Sequence, residues 1–188
     1  ITNSNPKIIF SSSIQEKKEN QYGKSKFDGR KLFENWAKKS SGKICSLIIP
    51  NVFGPFCKPN YNSFISTFCA KIISDEEPNI ISDNFVDLIY INELLEIFYN
   101  AIIENNIKLK NLIVQHTSSY KVSKILKILK KYKIQYIDNG KIPKVPLKSF
   151  ELNLFNTFSS FIKKSHFPRK FKMNSDNRGL FVEIIKAN

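Results

Sequence analysis

The sequence predicts an α/β fold built on a parallel sheet that helices cover on both faces. Short, continuous apolar runs alternate with longer segments whose apolar residues recur at helical spacing, and a turn-rich segment follows the second of these runs. Strands buried on both faces are continuously apolar, whereas strands with one wet face alternate apolar and polar residues. With 188 residues, 41% of them hydrophobic, the chain can bury the core of an ordinary domain.

A strand and a helix are predicted first. Lys7–Phe10 is a short apolar run that leads into the serine cluster Ser11–Ser13, which indicates a buried strand followed by a loop. Gln21–Lys39 has its apolar and small residues at helical spacing, so we expect a helix there. Asn20 is a suitable N-cap for this helix, and Gly42 is a suitable stop.

A second strand and a loop follow. Ile44–Ile49 is continuously apolar and is closed by Pro50, so the order strand, helix, strand predicts a parallel βαβ unit. The segment Asn51–Asn62 contains two prolines, one glycine and three asparagines, which predicts a loop. Because ligands bind where loops follow the carboxyl ends of parallel strands, this loop is a candidate binding segment.

The rest of the chain continues to alternate helices and strands. Helices are predicted at Phe64–Ile73, Glu93–Ile103, Val122–Tyr132 and Leu147–Ile162, and strands at Val86–Ile91, Leu112–Gln115 and Ile134–Ile137. The basic and polar stretch that follows, around Lys163–Asp176, predicts a linker, and Gly179–Lys186 predicts the start of a further domain.

The net charge of +14 suggests a nucleic-acid-binding protein, but the type of basic residue argues against it. Of the 30 basic residues 27 are lysine, whereas groove and phosphate readers favour the bidentate guanidinium group of arginine. No apolar run approaches the roughly 18 residues that span a bilayer. The three cysteines are twelve residues apart, with no histidine at metal-ligand spacing. We therefore expect a cytoplasmic protein without a nucleic-acid, membrane or metal partner.

A tyrosine and a lysine four residues apart are the candidate catalytic groups. Tyr22 and Lys26 lie one turn apart on the predicted helix and so share a face. A nearby ammonium group favours the phenolate form of a tyrosine, and such a phenol can exchange a proton with a carbonyl or alcohol oxygen near neutral pH. Ser13, at the end of the preceding strand, can hold the same oxygen.

This spacing alone carries little information, because tyrosine and lysine are both abundant in the chain. A second pair, Tyr120 and Lys124, has the same spacing. It lacks a preceding strand that ends in a serine cluster, and no ligand-type loop follows its next strand. We interpret it as an ordinary helix face.

The ordered context of the first pair resembles the extended short-chain dehydrogenases, which act on nucleotide sugars. The serine cluster, the Tyr-Gly-Lys-Ser-Lys helix and the Pro-Asn-Val-Phe-Gly-Pro segment at 50–55 carry this resemblance. It implies that Ser13, Tyr22 and Lys26 are catalytic, with Ser12 as the fallback for Ser13. It also implies two further sets of contacts: the nicotinamide cofactor, NADP or NAD, at Ser11, Tyr22, Lys26 and Pro50, and the UDP-sugar at Ser12, Asn51, Lys58, Asn60 and Asn62.

One branch of this family is similar over nearly the whole chain, namely the bifunctional enzymes of capsular-polysaccharide and UDP-N-acetyl-L-fucosamine synthesis. The similarity is strongest from Phe10 to Cys69, and its most specific part is the Cys-Lys-Pro-Asn-Tyr-Asn-Ser segment at 57–63. It implies reduction of a 4-keto UDP-6-deoxy-N-acetylhexosamine. The alternatives are an NAD-dependent epimerase or dehydratase of the same superfamily, or a basic binding module without catalysis.

The chain also departs from the family. Many relatives have an arginine where Ile48 stands, and most have two aspartates where Asn92 and Glu93 stand. The chain contains no glycine-rich dinucleotide fingerprint. It also lacks the zinc ligands of the cupin domain that follows the dehydrogenase in this branch. These absences lead us to expect a fragment that is inactive alone, whereas the resemblance implies a homodimer when the enzyme is intact.

The resemblance implies the following organisation. Residues 1–165 would be the catalytic and substrate-binding part of a short-chain dehydrogenase domain, formed by the C-terminal part of a Rossmann-like parallel sheet with a small mixed substrate-binding lobe. Residues 166–175 would be a linker. Residues 176–188 resemble the first strand of the cupin and would be the truncated start of that domain.

Overall fold

The computed structural model describes residues 6–106, 108–167, 171–184 and 186–187. The predicted α/β fold with a parallel sheet is confirmed. The strands are β1 (Lys7–Ser13), β2 (Lys43–Ile49), β3 (Asn51–Phe53), β4 (Phe85–Tyr90), β5 (Leu109–Ile113), β6 (Ser118–Lys121), β7 (Lys141–Ile142), β8 (Met173–Asp176), β9 (Gly179–Val182) and β10 (Lys186–Ala187). The α-helices are α1 (Gln21–Lys39), α2 (Phe64–Ile73), α3 (Ile91–Ile103), α4 (Val122–Tyr132) and α5 (Phe150–Ser159).

One compact unit, formed by Ile1–Val52 and Asp87–Ser119, contains the parallel sheet. Its strand order is β1-β2-β5, and both neighbouring pairs are parallel. The segment β1-α1-β2 is therefore the βαβ unit that the apolar pattern predicts. The carboxyl ends of β1 and β2 lie side by side, because Ser13 is paired with Ile49.

α1 and α3 cover opposite faces of this sheet, which explains why β2 is apolar on both faces apart from Lys43 and Ser46. Phe10 lies beside Ser46 in the register, and its ring contacts that of Phe33 in α1 with 5.4 Å between the centroids. Leu47 points to the other face, because neighbouring strand residues alternate. There it joins a core that includes Leu94 of α3.

The second compact unit, formed by Phe53–Val86 and Tyr120–Asn188, is built around α2, α4 and α5. The fully buried side chains of its core include Ile65, Leu129, Leu154 and Phe158. β8 and β9 form an antiparallel pair in this unit, and β7 pairs with β10.

The remaining strands form a sheet in the order β3-β4-β6. Within the described residues, no helix has both the length and the apolar character needed to cross a bilayer.

Some local predictions are wrong. Ile134–Ile137 is not a strand, because α4 continues into a π-helical turn, Lys133–Asp138. This turn brings the Tyr136 ring edge-on to Phe155, with 5.2 Å between the centroids. The predicted loop after Pro50 starts with the short strand β3, since its backbone finds a partner in β4.

The bounds of α1 are as predicted, whereas those of α5 are not. α1 spans Gln21–Lys39 with Asn20 as its N-cap, and its C-cap is Ser40 rather than Gly42. A Cβ at Gly42 would lie 2.0 Å from the Trp36 ring, so this glycine leaves room for the tryptophan. α5 is shorter than the predicted helix at Leu147–Ile162.

Candidate active site

The serine cluster forms the carboxyl end of β1 rather than a loop after it. Ser12 and Ser13 are both buried. The Ser13 hydroxyl oxygen accepts a hydrogen bond from the Gln15 backbone N–H at 3.2 Å and caps the 3₁₀ turn Ile14–Lys17. The hydroxyl keeps its own proton, so Ser13 can still donate a hydrogen bond to a ligand oxygen.

The first turn of α1 packs closely against the 3₁₀ turn Ile14–Lys17. The Asn20 side chain accepts a hydrogen bond from the Gly23 N–H at 2.7 Å, which places Tyr22 in the first turn of the helix. A Cβ at position 23 would lie 2.1 Å from the carbonyl oxygen of Gln15. Only glycine permits this approach, so Gly23 lets the tyrosine-bearing turn meet the segment that follows Ser13.

Lys26 connects the helix to the strand end. Its Nζ donates to the carbonyl oxygen of Ser11 at 3.0 Å and lies 5.7 Å from the centroid of the Tyr22 ring. Tyr22 is 45% exposed, so a ligand can reach it. Ser11, Tyr22 and Lys26 are therefore brought together at the carboxyl end of β1.

Ser12 is the one predicted substrate contact that faces inward. It is 3% exposed, and its hydroxyl donates to the Glu16 carboxylate. That carboxylate also accepts from the Arg30 guanidinium group. Sequence reasoning missed this pair. The signal was the rarity of arginine: Arg30 is one of only three in a lysine-rich chain, and it lies four residues before Glu34 on the predicted helix.

The segment after β2 is held next to β4. Pro50 is buried, and the Asn51 side-chain amide donates to the backbone carbonyl of Asp87 at 3.1 Å. This bond uses an amide hydrogen, so the Asn51 side-chain oxygen can still accept a hydrogen bond from a ligand.

The other predicted substrate contacts belong to the second compact unit. Lys58, Asn60 and Asn62 are exposed residues of one loop. The loop is anchored where the Asn60 N–H donates to the Thr67 hydroxyl at 2.9 Å, and Asn60 itself has a left-handed backbone, with φ 55°. The described residues contain no cluster of three His, Cys, Asp or Glu side chains that could hold a metal ion.

The second Tyr-x-x-x-Lys pair has a different structure from the first. Tyr120 belongs to β6 and Lys124 to α4, so the interpretation as a helix face is wrong. The Tyr120 ring stacks on Phe150 with 4.3 Å between the centroids. Burial raises the pKa of Tyr120, and the Glu151 carboxylate raises it further. Both effects oppose proton exchange near neutral pH.

Comparison with known proteins identifies the family. Residues 3–115 match the model of the NAD dependent epimerase/dehydratase family. The chain belongs to this family. The predicted resemblance to the extended short-chain dehydrogenases is thereby confirmed at the level of the family.

Individual relatives agree with this assignment. The chain is 28% identical over 182 residues to the UDP-2-acetamido-2,6-beta-L-arabino-hexul-4-ose reductase of Pseudomonas aeruginosa, covering 96% of this chain and 48% of the relative. It is 33% identical to the capsular polysaccharide assembling protein CapF from Staphylococcus aureus, with a TM-score of 0.81, covering 97% of this chain and 51% of that one. The chain thus spans about half the length of these relatives.

More distant structures share the fold. The UDP-N-acetylglucosamine 4-epimerase from Methanobrevibacter ruminantium, solved with UDP-N-acetylmuramic acid, superposes with a TM-score of 0.67 at 21% identity. The match covers 83% of this chain and 63% of the epimerase. It supports the Rossmann-like architecture predicted from the sequence.

Proposed function

We propose that this chain is the catalytic and substrate-binding part of an NAD(P)H-dependent reductase of a 4-keto UDP-6-deoxy-N-acetylhexosamine in capsule or O-antigen sugar synthesis. The observation that carries the proposal is Lys26, bonded to the Ser11 carbonyl and adjacent to the Tyr22 ring at the carboxyl end of a parallel strand. The name of the Pseudomonas aeruginosa relative, a hexul-4-ose reductase, supports a 4-keto sugar as the substrate.

The residues at this site fit a nicotinamide cofactor and a ketone. Tyr22 would donate the proton that the carbonyl oxygen takes up as it becomes a hydroxyl, and Ser13 would hydrogen-bond the same oxygen. Lys26 would offer its ammonium group to the ribose hydroxyls of the cofactor. Ser11 and Pro50 would contact the nicotinamide end of the cofactor. When bound, NADPH or NADH supplies the two electrons and the hydrogen that reduction requires.

The nucleotide sugar is assigned to the loop residues. Asn51 would hold the sugar through its free side-chain oxygen, and Lys58, Asn60 and Asn62 would hold the sugar or the diphosphate. An exposed ammonium group such as that of Lys58 suits phosphate on charge grounds. Ser12, whose hydroxyl is bonded to Glu16, would support the strand end rather than contact the sugar.

The test is turnover of a 4-keto UDP-sugar by the enzyme that contains this chain together with a dinucleotide-binding half. A reductase consumes one NADPH or NADH for each sugar converted, measured as loss of the cofactor's absorbance. An epimerase or dehydratase, the alternative within the family, converts the sugar without net consumption of the cofactor. Conversion without net oxidation of NAD(P)H would therefore contradict the reductase assignment.

Replacing Tyr22 tests the proton donor. Tyr22→Phe removes only the hydroxyl, so turnover should fall by about 10²–10⁴-fold, the usual contribution of general acid catalysis, while binding of the nucleotide sugar stays nearly unchanged. Tyr120→Phe is the matched control and should retain wild-type turnover. Near-wild-type turnover by Tyr22→Phe would rule out the proposed role.

A further inference from the structure

We infer that Glu16 and Arg30 are positioning residues for this reaction: their buried ion pair holds the end of β1, which carries Ser13, at a fixed place against α1, which carries Tyr22 and Lys26. The inference rests on the proposed function, because it assigns a role within that same site. Neither residue contacts the reacting groups directly.

The pair is buried and bonded on several sides. The side chains of Arg30 and Glu16 are only 10% and 6% exposed. Arg30 Nε lies 3.0 Å from both Glu16 carboxylate oxygens, and its Nη2 lies 2.6 Å from Oε2. The Ser12 hydroxyl donates to Oε1 of the same carboxylate. Glu16 is therefore clamped between the strand end and α1.

The hydrogen-bond network of Arg30 continues across α1 to a second strand. Arg30 Nη1 donates to Glu34 Oε1 at 2.6 Å, and the same oxygen accepts from the Asn111 side chain of β5 at 2.9 Å. Lys31 Nζ bonds the other Glu34 oxygen at 3.0 Å. One network thus runs from the end of β1 through α1 to β5 and fixes the helix against two strands of the sheet.

The carboxylate of Glu16 stays charged in this setting. Burial alone raises the pKa of Glu16, but the hydrogen bonds from Arg30 and Ser12 outweigh it, and the pKa lies below its usual value. The planar guanidinium group can donate two hydrogen bonds to a carboxylate only in a narrow range of orientations. The pair therefore fixes the orientation of Glu16 relative to Arg30, which an apolar contact would not do.

The Glu16–Arg30 pair lies next to the residues of the candidate site. Ser12 stands between Ser11, whose carbonyl binds Lys26, and Ser13, whose oxygen caps the turn that carries Glu16. A shift of the Glu16 carboxylate therefore moves both neighbours of Ser12. Displacement of a catalytic group by about 1 Å can cost on the order of 100-fold in rate.

The experiment separates positioning from folding and from the proposed function. Arg30→Lys keeps the charge but loses the fork, and Glu16→Gln keeps the shape but loses the charge. In the complete enzyme, both variants should lower kcat by about tenfold or more while KM for the nucleotide sugar stays within about twofold. Glu104→Gln, which breaks the exposed Glu104–Lys110 pair of the same compact unit, is the control and should leave kcat unchanged.

The outcomes are distinct. Wild-type kcat in both folded variants, with Tyr22→Phe inactive, overturns this inference and leaves the proposed function standing. An active Tyr22→Phe enzyme removes the proposed function first. If the single variants do not fold, the triple variant Glu16→Leu, Arg30→Met and Glu34→Gln removes all three buried charges of the network together, a change that proteins often tolerate. Loss of kcat in that folded variant supports the inference, and wild-type kcat overturns it.

Discussion

Gly23 shows how one residue determines where the candidate proton donor stands. Glycine in a helix is less stable than alanine by about 0.5–1 kcal/mol, yet it occupies the first turn of α1. The backbone oxygens of Gln15 and Lys18 would lie 2.1 and 3.0 Å from a Cβ at this position. Backbone atoms cannot rotate away as a side chain can, so the helix itself would have to move.

Gly23→Ala should therefore lower both the melting temperature and turnover, against the general helix preference for alanine. Gly29→Ala is the control on the same helix, because its new Cβ would lie nearest to the Phe10 ring, at 3.0 Å, and a ring can shift. Thermal unfolding and the kcat of the complete enzyme measure both effects. A Gly23→Ala protein with wild-type stability and turnover would show that the close approach is not required.

The three cysteines should differ in reactivity. Cys45 and Cys69 are buried, and burial raises the pKa of both thiols, whereas Cys57 is partly exposed. Since the thiolate is the reactive form, a thiol reagent should modify one cysteine quickly in the native chain and the other two only after unfolding. Peptide mapping should locate the fast modification at Cys57. Rapid modification of Cys69 in the folded protein would contradict the described packing.

At the scale of elements, the contact between β1 and α1 depends on charge. The network contains two carboxylates, Glu16 and Glu34, whose pKa values lie below the ordinary 4.5. For Glu34, as for Glu16, burial alone raises the pKa, and hydrogen bonds from Lys31, Asn111 and Arg30 outweigh it. Such a group stabilises the folded state above its unfolded pKa, and the stabilisation is lost as pH falls through the lower folded pKa.

The stability difference between wild type and Glu16→Gln should therefore be largest near neutral pH and shrink as pH falls below about 4.5, the unfolded value. Removing one partner of a buried pair costs about 3–5 kcal/mol where the pair is intact. Denaturant unfolding at a series of pH values measures the difference. Glu104→Gln, at an exposed pair, should show little dependence. A Glu16→Gln difference that stays constant down to pH 3 would contradict the ionised network.

At the scale of the whole molecule, the sequence contains the candidate catalytic residues but no glycine-rich turn of the kind that holds a cofactor's pyrophosphate. Dinucleotide-binding proteins of this architecture place pyrophosphate at a helix N-terminus behind a glycine-rich turn. The six glycines of this chain include no such pattern. We therefore expect the candidate site to make few of the charged contacts that hold a dinucleotide's pyrophosphate.

The 188 residues alone should accordingly bind NADPH weakly or not at all and reduce no sugar. Calorimetric or fluorescence titration of the purified chain measures the binding, with the enzyme that also carries a dinucleotide-binding half as the positive control. Micromolar binding by the folded, monomeric chain would show that the interpretation of the sequence as a partial site is wrong.

Local signals in the sequence determined the βαβ unit and the candidate catalytic pair. The apolar period and the Asn20 cap predicted where α1 begins, and so predicted that Tyr22 and Lys26 share its first turns. The bounds of α4, Val122–Tyr132, were likewise predicted correctly. These features depend on residues within one or two helical turns of each other, so they can be recognised without knowledge of distant contacts.

Only the tertiary structure decided which distant residues complete the site. The pairing of Ser13 with Ile49 extends β1 through the serine cluster, and the Arg30 guanidinium group selects Glu16, fourteen residues away. Tyr120, which the spacing placed on a helix, lies on β6 and stacks on Phe150. Hydrogen-bond partners and ring contacts of this kind form between elements that pack together. Their energies depend on burial and orientation in the folded chain, which the spacing of residues in the sequence does not encode.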